Sequence, residues 1–205
     1  TGEKEPAVLK DYEKNPAKYI MMPGNAIKRH PFVEERTEKL REFAEDCIYN
    51  TVEMNGTDIG IITSGCSYLY VKEVFGDTAS ILKISMPNPL PEKLIRKFAE
   101  SVKKLYVIEE LDPIIESYVK SLGIEVIGKE MFSPLGEFSQ HTIAAAFGKK
   151  LPETVSADSV IPARPPMMCA GCPHRGMFYT LAKNKITVMG DIGCYTLGAV
   201  PPLNA

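Results

Sequence analysis

The stretch from Pro166 to Tyr179, PMMCAGCPHRGMFY, places two cysteines, a histidine and an arginine within seven positions. Three of these side chains, with a cysteine further along the chain, are of the types that bind zinc: Cys169, Cys172, His174 and Cys194. A zinc or iron–sulfur module on these four residues is therefore one hypothesis. Zinc sites typically combine two Cys-x-x-Cys knuckles, and this stretch has one. The Cys-x-x-Cys-His pattern of haem attachment is interrupted by Pro173. A redox-active cysteine pair is a further alternative.

The same residues also suit a tight turn of small residues that begins a helix, with Gly171 and Gly176 as the small residues. That interpretation leaves His174 and Arg175 unexplained, because both can bind an anion. The first turn of a helix has unpaired N–H groups and the positive end of the helix dipole, so it also favours anions. A ligand pocket at this helix start is therefore the main functional hypothesis.

A second glycine-rich element, VMGDIGCYTLG, follows shortly afterwards. A strand is predicted over Ile186–Met189, and it runs into Gly190, Asp191, Gly193 and Cys194. Ligands of open α/β sheets bind beyond the carboxyl ends of the strands, where glycines allow the backbone to approach them closely. Two loops with cysteine and glycine in succession favour a shared ligand pocket over ordinary turns.

The elements that must position these loops follow an alternating pattern. Short apolar runs predict strands at 58–63, 80–85, 104–110 and 124–128, and amphipathic segments between and after them predict helices. A further helix is predicted from His30 onward, with Pro31 in its first turn and Phe32 and Phe43 on its apolar face. Strands that alternate with helices indicate an α/β fold with a mostly parallel sheet and helices on both faces.

Four segments are predicted along the chain. Residues 1–19 form a polar N-terminal segment, 20–148 the α/β domain, 149–167 a proline-rich linker, and 168–205 the start of a second α/β domain. The last segment is too short to bury both faces of a sheet, so we expect it to be poorly packed. There is also no initial methionine, and we expect the chain to be a piece of a longer protein.

Composition narrows the function classes. The chain has 205 residues, is 44% hydrophobic and 24% charged, and carries a net charge of −2. No basic excess points to nucleic acid, and no apolar run approaches the ~18 residues of a membrane span. The five unevenly placed cysteines are unlike a secreted disulfide framework. We expect a cytoplasmic protein.

Polar groups in the α/β domain have mainly structural interpretations. Glu109, Glu110 and Asp112 lie at the end of a predicted strand, where a general base is one option and capping of the next helix by Asp112 is the preferred one. The TSGCSYLY turn at Gly65 is expected to be a packing turn.

Together, several motifs resemble a known family. CAGCPHRGMFY followed by GDIGCYTLGAVPPL is similar to the α subunits of indolepyruvate ferredoxin oxidoreductases, which are thiamine-diphosphate-dependent 2-oxoacid:ferredoxin oxidoreductases. The upstream IGIITSGCSYLYVKEVF, ILKISMPNPLPEKLIRKFAE and LYVIEELDPIIE resemble the middle domain of that subunit, which is like the C-terminal domain of transketolase. The resemblance covers nearly the whole chain in the same order.

The resemblance implies a wall of a thiamine diphosphate pocket made by two loops. Its matching residues are Cys169, Gly171, Cys172, His174, Asp191, Gly193 and Cys194. No catalytic residue and no metal ligand follows from it. In the family the Mg²⁺–diphosphate motif, the activating glutamate and the iron–sulfur ligands lie in parts that this sequence does not match. We therefore expect no tightly bound cofactor and no activity from these 205 residues alone.

The resemblance also implies the reaction of the whole enzyme. An aryl pyruvate is oxidatively decarboxylated to an acyl-CoA, and electrons pass through iron–sulfur clusters to ferredoxin. The implied partners are the 2-oxo acid, coenzyme A, ferredoxin and a β subunit. Besides the metal module, a subunit-interaction domain without chemistry of its own remains an alternative for this chain.

Overall fold

The computed structural model describes residues 10–153 and 160–205. They form two compact units, one within Thr1–Pro152 and one within Glu153–Ala205, and each is described by itself. The predicted linker at 149–167 lies partly outside the described residues, as does about half of the polar segment at 1–19.

The first unit is built on a four-stranded mixed sheet. Its strands are β1 (Thr51–Glu53), β2 (Ile59–Ser64), β3 (Ser80–Ile84) and β4 (Lys104–Ile108), in the order β1-β3-β2-β4. The central β2 is parallel to both β3 and β4, and β1 is antiparallel to β3. The helices are α1 (Pro16–Tyr19), α2 (Pro23–Glu45), α3 (Ser67–Phe75), α4 (Glu92–Glu100), α5 (Ile114–Ser121) and α6 (Gln140–Ala146).

Helices cover both faces of this sheet. Successive strand residues point to opposite faces, so Ile61 and Ile62 of β2 enter different halves of the core. Val71 of α3 and Ile143 of α6 pack on the Ile61 side, and Ile95 of α4 packs on the Ile62 side. The predicted α/β class, with a mostly parallel sheet between helices, is confirmed.

The fourth strand of the sheet is not the predicted one. Residues 124–128 make a single parallel bridge, in which Val107 donates to the Ile127 carbonyl (2.9 Å) and Ile127 donates to the Leu105 carbonyl (3.1 Å). The ladder stops there because the backbone turns at once, with Met131 donating to the carbonyl of Gly128 (2.9 Å). The prediction of a strand over 124–128 is therefore wrong.

Sequence reasoning missed β1, the short strand at the edge of the sheet. Only three residues long and mostly exposed, it lacks an apolar run. Its Glu53 accepts hydrogen bonds from Lys72 Nζ (2.7 Å) and the Tyr68 hydroxyl (2.6 Å), and these bonds lower the pKa of the Glu53 carboxyl. Polar contacts to α3 thus help to hold β1 in place.

Helix α2 begins seven residues earlier than predicted. Pro23, not Pro31, lies in its first turn, and Pro31 lies inside the helix. An internal proline removes one backbone hydrogen bond, but most of α2 is exposed, so water can solvate the carbonyl that loses its donor. The predicted apolar face is also largely uncovered: Phe32 is 70% exposed and Phe43 58%.

The second unit contains helix α7 (Pro173–Lys183) and a 3₁₀ turn at Thr196–Gly198. The predicted strand over Ile186–Met189 does not form, and residues 160–205 contain no strand. A strand needs a hydrogen-bonding neighbour, and these residues provide none. Among residues 160–205, Met168 and Phe178 are the buried apolar side chains, in agreement with the expectation of poor packing at 168–205.

No helix in the described part of the chain combines the length and the apolar composition that crossing a membrane requires.

Candidate functional site

The first loop of the candidate site is a tight turn that leads into α7. Cys172 donates its backbone N–H to the Cys169 carbonyl (3.2 Å), and between them Gly171 adopts φ +74°, which favours glycine. Cys172 is extended at the N-cap position, and Pro173 is the first helical residue, which suits its fixed φ. The stretch therefore forms a tight turn that leads into a helix.

The second loop contains two consecutive turns, each closed by a backbone hydrogen bond. Thr196 donates its N–H to the Gly193 carbonyl (3.1 Å), and Leu197 donates to the Cys194 carbonyl (3.2 Å). The Thr196 hydroxyl donates to the backbone carbonyl of Asp191 (3.3 Å), not to its carboxylate. Gly193 has φ +135°, again a conformation that favours glycine.

Aromatic contacts bring the two loops together. The rings of His174 and Tyr195 meet edge to face, with centroids 5.1 Å apart and planes at 79°. The Phe178 ring lies 5.9 Å from that of Tyr195, also edge to face. His174 and Phe178 are four residues apart on α7 and therefore share one helix face, against which Tyr195 packs.

His174 and Asp191 line the same cavity. It has a volume of about 350 Å³, and its other walls are mainly apolar: Met177, Phe178, Leu181, Val188, Met189, Gly190 and Tyr195. This volume lies at the lower end of the range for ligand pockets. A carboxylate and an imidazole on the wall of a mainly apolar cavity can orient a polar ligand by hydrogen bonds and, depending on protonation, by charge.

The three cysteines of the motif do not line that cavity. Cys169 and Cys194 are exposed and Cys172 is half-buried. Over residues 10–153 and 160–205, which include all four residues of the metal hypothesis, no three cysteine, histidine or acidic side chains come together as a metal site. The structure therefore gives no support to a zinc or iron–sulfur site made by Cys169, Cys172, His174 and Cys194.

Sequence reasoning missed Tyr195 and Phe178 as members of the site. A signal for Phe178 was present, since its spacing of four from His174 predicts a shared helix face. Tyr195 follows Cys194 directly, but its contact with His174 depends on how the second loop folds back onto α7. No local pattern predicts that packing.

The acidic cluster after β4 serves the structure of the first unit. Both carboxylate oxygens of Glu109 accept backbone N–H groups at the start of α5, from Ile115 and Glu116 at 2.9 Å each. Glu110 accepts the N–H of Phe138 (3.1 Å). The prediction that Asp112 caps α5 is wrong: Pro113 holds the N-cap position, and the buried Glu109 reaches the helix from the preceding strand end.

Comparison with known proteins shows that the chain is similar in sequence to one kind of subunit. No family model matches it. It is 34% identical to Indolepyruvate oxidoreductase subunit IorA of Thermococcus kodakarensis over 218 aligned positions. This alignment covers 94% of this chain and 34% of that subunit. The subunits of the same name from Pyrococcus horikoshii and Archaeoglobus fulgidus are 33% and 34% identical, again over 94% of this chain.

The chain thus spans about a third of the length of the relatives it matches. Among solved structures, it is similar to a 2-oxoglutarate:ferredoxin oxidoreductase from Magnetococcus marinus. That match has 18% identity and a TM-score of 0.44, and it covers 62% of this chain and 23% of the other. The sequence matches confirm the resemblance inferred from the motifs.

Proposed function

We propose that this chain is the middle module and the beginning of the cofactor-binding module of an indolepyruvate oxidoreductase subunit. It aligns with about one third of the length of such subunits. The whole enzyme would oxidatively decarboxylate an aryl pyruvate to an acyl-CoA and pass the electrons to ferredoxin. The observation that carries the proposal is the alignment of 94% of the chain with several of these subunits at 32–34% identity.

The second unit would provide one wall of a thiamine diphosphate site. The residues proposed for it are Cys169, Gly171, Cys172, His174, Asp191, Gly193 and Cys194. Four of them support such a wall: Gly171 and Gly193 form turns that let the backbone come close to a ligand, and His174 and Asp191 line one cavity. The three cysteines are proposed from the resemblance alone. When bound, thiamine diphosphate supplies the nucleophilic carbon that attacks the 2-oxo group, whereas the protein supplies placement and electrostatics.

His174 would act as a hydrogen-bond donor within that wall. Tyr195 packs edge to face against the imidazole, and Phe178 is part of the apolar lining of the cavity. An imidazole N–H held in this way can donate to a diphosphate oxygen or to the carboxylate of the 2-oxo acid. The apolar lining would limit water around the reacting carbon, which protects it from early protonation.

The first unit would pack subunits together and shape the approach to the site. The acidic side chains that sequence reasoning considered for base chemistry accept backbone hydrogen bonds instead, as Glu109 and Glu110 show. The 205 residues alone would be inactive. Mg²⁺, the iron–sulfur clusters, and the contacts to coenzyme A, ferredoxin and a β subunit would depend on other parts of the enzyme.

The proposal is tested on the native gene product that contains this sequence, purified with its associated subunits. His174→Ala is expected to weaken thiamine diphosphate affinity or to lower kcat/KM for the 2-oxo acid by about tenfold or more, because a charge-assisted hydrogen bond contributes about 1.5–3 kcal/mol. The matched control is His30→Ala, which removes an exposed histidine of α2 paired with Glu34 at 2.9 Å. Activity that does not depend on thiamine diphosphate would contradict the proposed function, and equal effects of both substitutions would contradict the role of His174.

A further inference from the structure

The turn between β2 and α3, at residues 63–67, lies at the position in the first unit where open α/β sheets bind ligands. The chain leaves the central β2 on the face of the sheet that α3 and α6 cover. It leaves both neighbours of β2 on the opposite face, which α4 and α5 cover. Connections that diverge in this way open a crevice beyond the carboxyl end of the central strand, and ligands of such sheets bind in that crevice.

The Thr63 hydroxyl, at the end of β2, lacks a hydrogen-bond partner. Thr63 is fully buried, and among the described residues its Oγ1 is the one buried side-chain nitrogen or oxygen without a partner. Because side chains alternate along a strand, Thr63 points to the same face as Ile61, which packs in one cluster with Val71 of α3. Ser67, one helical turn before Val71, is also buried. The unpaired hydroxyl therefore faces the first turn of α3, and an unpaired polar group in such a place needs an explanation.

The first turn of α3 has hydrogen-bond donors that the chain itself does not use. No side chain caps this helix, and the backbone N–H groups of Cys66, Ser67 and Tyr68 meet no acceptor within residues 10–153 and 160–205. The turn is also open on its outer side. Gly65 has φ +54°, nothing lies within 4 Å of the position of a Cβ there, and Cys66 is exposed. A ligand can therefore approach these N–H groups from solvent.

Lys83 brings a positive charge to the same place. In the parallel register of β2 and β3 it is the partner of Thr63, so both side chains leave the sheet on the same face. Its Nζ lies 4.8 Å from the ring centroid of Tyr68, the second residue of α3. Lys83 forms no ion pair with a carboxylate in the described part of the chain. Glu53, which also contacts Tyr68, is already paired with Lys72 (2.7 Å).

We infer that residues 63–67 and Lys83 form a binding site for a phosphate group, either free phosphate or a phosphate monoester. The unpaired N–H groups of α3 donate to its oxygens, and the positive end of the helix and the Lys83 ammonium balance its charge. The Thr63 hydroxyl gains an acceptor when a phosphate oxygen enters between the turn and the end of β2. The site lies in the first unit and shares no residue with the proposed thiamine diphosphate wall, so it goes beyond the proposed function.

The experiment is a titration of the full 205-residue chain, labelled with ¹⁵N, with inorganic phosphate and separately with AMP. The amide signals of Cys66, Ser67 and Tyr68 are expected to shift saturably with at least one of the two probes. Sodium chloride at the same ionic strength should not shift them. Because each amide is observed by itself, binding at α3 is told apart from phosphate binding at the first turn of α7.

Two substitutions remove parts of the site without removing the turn. Lys83→Gln is expected to weaken binding about tenfold or more, because it deletes a charged donor. Thr63→Val keeps the shape of the side chain and should also weaken binding. Without phosphate, Thr63→Val should leave the melting temperature unchanged or raise it, since the hydroxyl has no partner to lose. Lys97→Gln is the control: it removes an exposed cation of α4, on the other face of the sheet, and should not change the affinity.

Three outcomes would overturn the inference: no saturable shift of the α3 amides with either probe, the same shifts with sodium chloride, or equal affinity in Lys83→Gln and the wild-type chain. A lower melting temperature in Thr63→Val with unchanged affinity would also overturn it, because the hydroxyl would then serve the fold. Tighter binding of AMP than of phosphate identifies a monoester as the ligand, and the reverse order identifies free phosphate. Both orders support the site.

Discussion

His174 shows how a side chain acquires a functional setting that its sequence motif does not specify. The motif predicts that this residue lies near a helix start, and the structure places it at the second helical position. What makes it a candidate for ligand binding is the ring of Tyr195, which comes from a loop about twenty residues further along. Residue types and spacing indicated which chemistry His174 could perform. The contacts of its side chain come from tertiary packing.

Gly198 is the residue on which the packing of that loop most clearly depends. A Cβ at this position would lie 2.7–2.8 Å from three ring carbons of the buried Phe178. Gly198→Ala must therefore displace the ring or the loop, at a cost of about 1–3 kcal/mol. Hydrogen exchange of the α7 amides should become faster in this variant.

Gly176→Ala is the matched control for that substitution. Gly176 lies inside α7, and nothing comes within 4 Å of an added Cβ. Because alanine favours helix over glycine by about 1 kcal/mol, exchange of the α7 amides should become slower. Equal exchange in Gly198→Ala and the wild-type chain would contradict the packing of Gly198 on Phe178.

At the scale of elements, sequence patterns predicted the strands that depend on the local run of apolar residues. The runs at 58–63, 80–85 and 104–110 became β2, β3 and β4 because buried parallel strands need continuous apolar residues. The errors are at places where tertiary contacts decide. Residues 124–128 make one bridge because the chain turns directly afterwards, and residues 186–189 have no strand beside them.

The start of α5 provides a test of one such tertiary contact. The local pattern Asp-Pro predicts Asp112 as the cap, whereas the structure assigns the two hydrogen bonds to Glu109, which is 6% exposed. Glu109→Ala should lower the free energy of unfolding by about 1–3 kcal/mol, because it leaves two buried N–H groups without an acceptor. Chemical denaturation measures this change.

Asp112→Ala tests the alternative at the same helix. Asp112 is exposed, and α5 begins beyond it, so its removal should change stability by less than about 0.5 kcal/mol. A larger loss in Asp112→Ala than in Glu109→Ala would mean that the helix is capped as the local sequence pattern predicts.

At the scale of the whole molecule, the chain combines a well-packed α/β unit with a sparsely packed second unit that carries the cavity lined by His174 and Asp191. It matches about one third of the length of its relatives. The resemblance to the indolepyruvate oxidoreductase subunits could be recognised from the sequence because two loops with unusual composition occur in order after an α/β pattern. A pocket shared by the two loops was predicted, but the apolar side chains that line it with His174 and Asp191 were not, since they come from segments separated along the chain.

The most direct test of the proposed function is turnover by the native gene product that contains this sequence, purified without oxygen and supplied with thiamine diphosphate, Mg²⁺ and coenzyme A. Reduction of ferredoxin is followed after addition of indolepyruvate, and 2-oxoglutarate serves as the non-aromatic comparison. The proposal predicts reduction that depends on the 2-oxo acid and coenzyme A, with indolepyruvate the better substrate. Preparations that hold thiamine diphosphate and iron–sulfur clusters but reduce no ferredoxin with any 2-oxo acid would contradict it.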